Sequence, residues 1–368
     1  MKAASEVIVS KANLLHNLRQ FRKVLGKSKL MAVVKSNAYG HGSFAVSAAI
    51  ERQVDYFGTA SGAEALALRK FGIKKPILVL NYYFLDQVES LVKQNIALVV
   101  YNLDQAKAIS SAAKKFKKKA KVHIKVGTGL SRLGVFAKDA VEFAKNIRKF
   151  SNIEIEGLFS HFAASEDDPE YTMIQLNRFK QIIKDLEAGG ISIPIKHIAC
   201  TASSLAFPES HFDLCRIGIG IYGMKSYKST KNKIALKPAL SWQTQILAVK
   251  ELPVGAYVGY GRTFQTKRKT KLAILPIGYF EGYDRRFSNN SIVLVSGRRC
   301  PVVGRVYMNL LSVDVTDAKN AKAGDIAVLI GKQGSEEISA DELASKIGTI
   351  NYEIVTRINP QIPRILHD

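Results

Sequence analysis

The chain has 368 residues, of which 47% are hydrophobic and 23% charged. That is long enough for two domains, or a barrel with an appendage, and apolar enough to build a core without disulfides. The formal net charge of +23 raises nucleic acid as a partner, but the densest cluster, Lys114–Lys121, offers only Phe116 for stacking and reads as a solvated basic face, so no specific nucleic-acid binding is expected. Cys200, Cys215 and Cys300 lack metal-ligand spacing, which points to a reducing compartment and no metal site. The N-terminal stretch lacks the apolar core of a signal peptide, and no run is long enough to span a membrane, so a cytoplasmic location is expected.

Up to about residue 225, short β-branched runs alternate with amphipathic stretches. Strands are predicted at Leu30–Val34, Tyr56–Thr59, Ile77–Leu80, Ala97–Val100, Val122–Val126, Ile155–Ser160, Ile195–Ala199 and Leu214–Arg216. A helix is predicted over Ser10–Leu25, where Leu14, Leu18, Phe21 and Leu25 share one face behind a Ser10 cap. Further helices are predicted over Ala63–Lys70, Gln105–Phe116, Ala140–Ile147 and Tyr171–Leu186. Eight apolar strands, each followed by a helix or turn, is the count of a (β/α)8 TIM-like barrel. A doubly wound open sheet is the alternative.

After the polar stretch Lys225–Lys237 the pattern becomes strand-like, at Trp242–Leu252, Lys271–Ile277, Ile292–Val295, Val302–Val306, Leu310–Val315 and Ile326–Ile330. Only Ser339–Ile347 reads as a helix, with Ser339 and Glu342 forming a capping box. The expected organisation is an α/β barrel over residues 1–230 and a mostly-β C-terminal domain over 231–368.

Lys35 ends the first apolar strand and opens a Gly/Asn/Tyr-rich turn. Strand C-terminal ends are where such folds do chemistry. A lysine partly desolvated there can lose its proton and form a Schiff base with a carbonyl cofactor. Thr128, Gly129 and Arg132 follow the fifth strand, His161 ends the sixth, Thr201 follows the seventh, and Arg216 with Gly218–Gly220 ends the eighth. Taken singly, His161 reads as well as a core histidine and Arg216 as an ion-pair partner. Their common placement favours a ligand site. The turn at Gly218–Gly220 and the helix start after Thr201 suit a dianion. A phosphate-bearing carbonyl cofactor on a lysine means pyridoxal 5′-phosphate.

These residues resemble one family over essentially the whole chain, the alanine racemases. The resemblance rests on Ala32–Gly42 (with Val34-Lys35-Ser36-Asn37-Ala38-Tyr39-Gly40-His41-Gly42), Val122–Gly134, Phe159–Ala163 and Arg216–Ile219. It continues through Val258–Gly261, Pro276–Tyr279, Gly304–Asn309 and Asn351–Ile354. It implies that Lys35 carries the cofactor and that Tyr39, Thr201, Gly218, Ile219 and Tyr352 hold its phosphate. Arg216 would face the pyridine nitrogen, supported by His161, while Arg132 and the Met308 backbone would meet the substrate carboxylate. Lys35 and Tyr260, the latter supplied by the other subunit of a homodimer, would be the two bases. Racemisation needs a proton removed on one face and delivered on the other, so two bases must flank the reacting carbon. Lys125 occupies a position often carbamylated in the family. The product would be D-alanine for peptidoglycan.

The chain departs from the commonest family pattern at Gly127, Ser131, Cys200-Thr201, Tyr307 and Asn309. Threonine keeps the hydroxyl that serine would supply. Tyr307 and Asn309 flank Met308 and bear on substrate range, so a racemase acting also on serine stays open. A barrel-type amino-acid decarboxylase is a further alternative. It calls for a long glycine-rich phosphate loop and an active-site cysteine in the β domain, whereas Cys300 precedes Pro301 in a strand-like run. A single-barrel cofactor carrier would lack the β domain and Tyr260.

Overall fold

The computed structural model describes residues 4–226 and 234–368, which divide into two units. One comprises Leu14–Ala38 and Ser43–Lys237; the other comprises Met1–Asn13, Tyr39–Gly42 and Pro238–Asp368. The boundary expected at 230/231 lies outside the described residues.

The first unit is built on eight parallel strands. In spatial order they are Leu214–Ile217, Lys29–Val33, Tyr56–Ser61, Ile77–Tyr82, Ala97–Val100, Ala120–Gly127, Ile153–Phe159 and Ile195–His197. In chain order, Lys29–Val33 is the first barrel strand and Leu214–Ile217 the eighth. An open doubly wound sheet would leave the seventh and eighth strands apart. Here Asp213 N donates to Lys196 O and Arg216 N to Ala199 O, both at 3.1 Å, so the sheet curls into a nearly closed barrel. Its strands are near-continuous apolar runs because both faces are covered; Leu30, Met31, Ala32 and Val33 are all buried. Around them, the helix Lys11–Leu25 buries Leu14, Leu18, Phe21 and Leu25 on the face its periodicity predicts. Asn13 N donates to Ser10 Oγ (3.2 Å) at its cap.

The pairing of the fifth and sixth strands has one irregularity. Val122 pairs with Ile155 but His123 pairs with Gly157, so Glu156 is the extra residue of a β-bulge in the sixth strand. A Cβ on Gly157 would lie 2.0 Å from His123 Nδ1, so only glycine leaves room for that ring.

The second unit is mostly β. Its main sheet runs Arg298–Pro301, Ile292–Val295, Ile326–Gln333, Leu240–Gln245, Ser5–Ser10, Arg364–His367, and Glu336–Ile338 pairs with Ile326–Gln333. A three-stranded sheet is formed by Ala248–Leu252, Thr270–Leu275 and Leu311–Asp314. The described residues up to Asn13, from Ala4 on, cluster here rather than with the barrel. The reason is pairing: Ser5–Ser10 lies antiparallel to Leu240–Gln245 and parallel to Arg364–His367.

The single run expected over Trp242–Leu252 is two strands in two sheets. The chain changes sheet at Ile246 and Leu247, whose N–H groups donate to Asp325 O and Ile274 O, both at 2.8 Å. Val302–Val306, expected as a strand, is not one. The strand is Arg298–Pro301, reversed from Ile292–Val295 through Ser296 (φ 49°) and Gly297 (φ 72°), and its Pro301 is tolerated because the strand is at a sheet edge. A second short helix, Asn351–Thr356, follows Ala340–Ile347. Among the described residues no helix is long and apolar enough to cross a membrane.

Candidate active site

Strand pairing carries the first barrel strand to the threshold of Lys35, where Val34 N donates to Gly58 O at 2.9 Å. The next four residues, Ser36, Asn37, Ala38 and Tyr39, all have φ between 52° and 55°. A left-handed turn of non-glycine residues costs about 1–2 kcal/mol per residue, and such strain persists only where surrounding bonds over-determine it. Here Ser36 N donates to Glu64 Oε1 (2.6 Å), Ala38 N to Val34 O (2.9 Å) and Ser43 N to Asn37 Oδ1 (2.9 Å). The turn fixes where the Lys35 amine begins. Burial first, and then the charge of Arg132, lowers the pKa of that amine, against the opposing field of Glu64. A lysine so placed is readied to act as nucleophile and base.

Lys125, Arg132 and His161 line one cavity of about 630 Å³, with Thr128, Ser160 and Arg178. Lys125 is buried, and burial followed by the charges of Arg132, Arg216 and Lys35 draws its pKa down to about 7. Its amine donates to Leu80 O (3.2 Å) and sits 5.3 Å from the centre of the Phe159 ring. His161 is held well below the usual histidine range by burial, then by Arg216, Arg132 and the two lysines, so it is neutral. Four cationic side chains acting on one another in this way favour an anionic ligand.

Arg216 is buried and fully engaged on one side. Nη1 donates to His197 Nδ1 (2.8 Å) and His197 O (3.1 Å), and Nη2 to Ser160 O (2.8 Å), Ile198 O (2.9 Å) and His161 Nδ1 (3.1 Å). Burial lowers its pKa to about 10, so it stays cationic at neutral pH. Beside it, Gly218 N donates to Thr201 Oγ1 at 3.0 Å, and Ile219 starts the turn Ile219–Tyr222. A Cβ on Gly220 would lie 2.5 Å from Phe21 Cζ and 2.7 Å from Thr201 Cγ2. The threonine and the glycine-bearing turn can approach this closely only without a side chain there. The Tyr222 hydroxyl donates to Val33 O (2.9 Å), which ties the turn to the strand preceding Lys35.

The barrel unit therefore brings together Lys35, Lys125, Arg132, His161, Thr201, Arg216, Gly218 and Ile219. The remaining expected residues belong to the second unit. There the rings of Tyr39 and Tyr352 meet at 6.0 Å between centroids. Tyr260 is 73% exposed and Met308 56%, and the Tyr260 ring meets Tyr307 edge-on at 5.4 Å. The Tyr307–Met308 segment is held by Tyr279 N donating to Tyr307 O (3.0 Å) and Phe280 N to Met308 O (2.9 Å). The expectation from sequence missed His123, Glu156 and His197. Each lies on a strand that carries other charged residues, Lys121 and Lys125 beside His123, Glu154 beside Glu156 and Lys196 beside His197, so no local pattern singles it out. Among the described residues no His/Cys/Asp/Glu group is arranged to hold a metal ion.

Comparison with known proteins bears on this arrangement. Residues 9–226 match the family profile "Alanine racemase, N-terminal domain" and residues 239–366 match "Alanine racemase, C-terminal domain". The chain is 43% identical over 355 residues to the alanine racemase of Methanococcus maripaludis, covering 95% of each. It is 42% identical to alanine racemase 1 of Caldanaerobacter subterraneus subsp. tengcongensis, covering 95% of this chain and 91% of the relative. The solved alanine racemase of Clostridium difficile 630 superposes with a TM-score of 0.95 at 32% identity, covering 100% of this chain and 96% of that one. With matching profiles over both halves and relatives of this identity over nearly its full length, the chain belongs to the alanine racemase family of amino-acid isomerases.

Proposed function

We propose that this chain interconverts L- and D-alanine with pyridoxal 5′-phosphate as cofactor. It works as a cytoplasmic homodimer and supplies D-alanine for peptidoglycan. One observation carries the reading: a half-buried Lys35 amine of lowered pKa stands at a strained strand end, within the field of Arg132. The donor set fits the cofactor. Thr201 with Gly218 and Ile219 suits the phosphate, joined in this reading by Tyr39 and Tyr352. Arg216 suits the ring nitrogen with His161 beside it, and Arg132 suits the ring oxygen and the substrate carboxylate, helped by Met308.

When bound, pyridoxal phosphate supplies an electron-withdrawing ring that acidifies the α-hydrogen of the amino acid. Lys35 Nζ holds and returns a proton on one face of the α-carbon. The phenol of Tyr260 of the partner subunit does so on the other. Arg216 has only donors and does not surrender its proton, so a ring nitrogen facing it would stay unprotonated and transamination would be disfavoured. Lys125, with a pKa of about 7, is partly neutral at physiological pH and open to carbamylation, and the new negative charge would hold Arg132.

The test is a chiral assay on purified, cofactor-loaded protein. Wild type is expected to convert L-alanine to D-alanine without releasing carbon dioxide, and Lys35→Ala to lose both turnover and the bound-cofactor absorbance. Racemisation by Lys35→Ala would reject the assignment. A strain lacking the gene should need D-alanine.

A further inference from the structure

Arg216 is the end of a longer chain of side chains that runs through the barrel. Its Nη1 meets His197 Nδ1 at 2.8 Å; His197 Nε2 meets His123 Nδ1 at 2.9 Å; His123 Nε2 meets Glu156 Oε2 at 3.0 Å. Glu156 Oε1 accepts from Lys121 Nζ at 2.5 Å, and the Tyr56 ring meets the His123 ring edge-on at 6.5 Å between centroids. The polarity of every link follows from the two ends. A guanidinium carries donors alone, so His197 Nδ1 must accept and its ring proton sits on Nε2. That N–H donates to His123 Nδ1, which places the His123 proton on Nε2, where it donates to the carboxylate. The opposite tautomer of either ring would set two N–H groups, or two lone pairs, face to face.

We propose that Glu156 and His123 are positioning residues for Arg216, acting through the tautomer they impose on His197. This rests on the reading of Arg216 as the group facing the cofactor ring nitrogen. Three independent features hold the chain in place. The bulge at Glu156 re-aims its carboxylate at His123. Gly157 vacates the space the His123 ring occupies. Phe159 stacks on His197 with 4.8 Å between centroids and 6° between planes, fixing the imidazole. Both rings are fully buried, and burial above all keeps them below the usual histidine range and hence neutral.

In so apolar a setting, successive hydrogen bonds polarise one another. A carboxylate two rings away therefore makes His197 Nδ1 a stronger acceptor and pins the guanidinium edge that bonds it. The far end opens on a second cavity of about 570 Å³, lined by Lys29, Tyr56, Lys121, Glu156 and Asp213. These residues lie at or near the N-terminal ends of the strands, so the active-site arginine is anchored from the opposite mouth of the barrel.

The chain is tested first on ¹⁵N-histidine-labelled wild-type protein without cofactor. Long-range ¹H–¹⁵N spectra should show His197 and His123 protonated at Nε2 only; an Nδ1–H or imidazolium signal at His197 overturns the proposal with no variant needed. Next, Glu156→Gln, which keeps shape but removes the charge, should give a mixed tautomer population at His197. It should also lower kcat about tenfold, with KM for alanine within twofold of wild type. Glu154→Gln, which removes a carboxylate on the same strand outside the chain, should stay within twofold in both. A folded Glu156→Gln protein with the wild-type His197 spectrum and kcat also overturns it. Wild-type protein without racemase activity would sink the functional reading alone, since the ring-nitrogen spectra would still decide the hydrogen-bond chain.

Discussion

The barrel unit and the β unit treat their functional groups in opposite ways. The barrel buries two of its charges: Lys125 and Arg216 are 4% and 5% exposed, and each has hydrogen-bond acceptors within its own unit, while Lys35 is half-buried and Arg132 exposed. The β unit buries Trp242, Tyr283 and Phe287 but leaves Tyr260 and Met308, the groups expected to act from it, 73% and 56% exposed. A buried cation without partners is too costly to keep, so a barrel that holds them must arrive with its acceptors prearranged. One unit thus carries a largely buried electrostatic pocket and the other an open surface, the contrast that the proposed sharing of Tyr260 between subunits would use.

The largest effect comes from breaking the two halves on different chains. Lys35→Ala and Tyr260→Phe should each lower racemisation by about 10²–10⁴-fold, the usual reach of a lost acid–base group. Mixed and reassociated in equal amounts, they should regain roughly a quarter of wild-type activity, because about half the dimers are mixed and each of those has one intact site. Activity that stays at the level of the single variants would mean that Tyr260 serves its own chain.

Next in size is a change confined to the barrel. Gly157→Ala places a methyl group 2.0 Å from His123 Nδ1. Overpacking of this kind costs about 1–3 kcal/mol, which for a protein of this size lowers Tm by several degrees. Differential scanning calorimetry checks it, and an unchanged Tm would mean that the ring has somewhere else to go. A smaller effect belongs to the β unit. Tyr307→Cys removes the ring packed edge-on against Tyr260 and should shift the ratio of kcat/KM for serine over alanine by a few-fold, with the fold intact. An unchanged ratio would remove Tyr307 from substrate selection.

Much of this was legible in the sequence where local pattern decides. The eight barrel strands follow from apolar runs bounded by turns, and Lys35, His161, Thr201 and Arg216 follow from standing at their ends. What was missed depends on distant pairing. Ser5–Ser10 has the β-branched pattern of a strand, but only its partners Leu240–Gln245 and Arg364–His367 assign it to the β unit. The break at Ile246 is invisible because both flanks favour extended backbone, and the hydrogen bonds that split them come from Asp325 and Ile274. His123, Glu156 and His197 lie on three strands, and nothing in the spacing of one strand announces a bond to another.

The smallest effect is a slope with pH, and it probes the most heavily charged part of the barrel. The Lys125 amine titrates near 7 in the folded protein, against an ordinary lysine value of 10.5. Between those values the unfolded chain binds more protons than the folded one, so stability rises with pH across that window. Below about 7 both states are protonated and the penalty is constant. The protein without cofactor should therefore gain Tm from pH 7 to 10, and Lys125→Met should flatten that gain, whatever share belongs to Lys35. Carbamylation would have the same flattening effect in wild type, because it removes the cation. Bicarbonate should then reduce the slope and add the mass of one carbon dioxide to the chain. A free amine by intact mass under saturating carbon dioxide, with the slope unchanged, would leave Lys125 as a buried lysine that Arg132 merely repels.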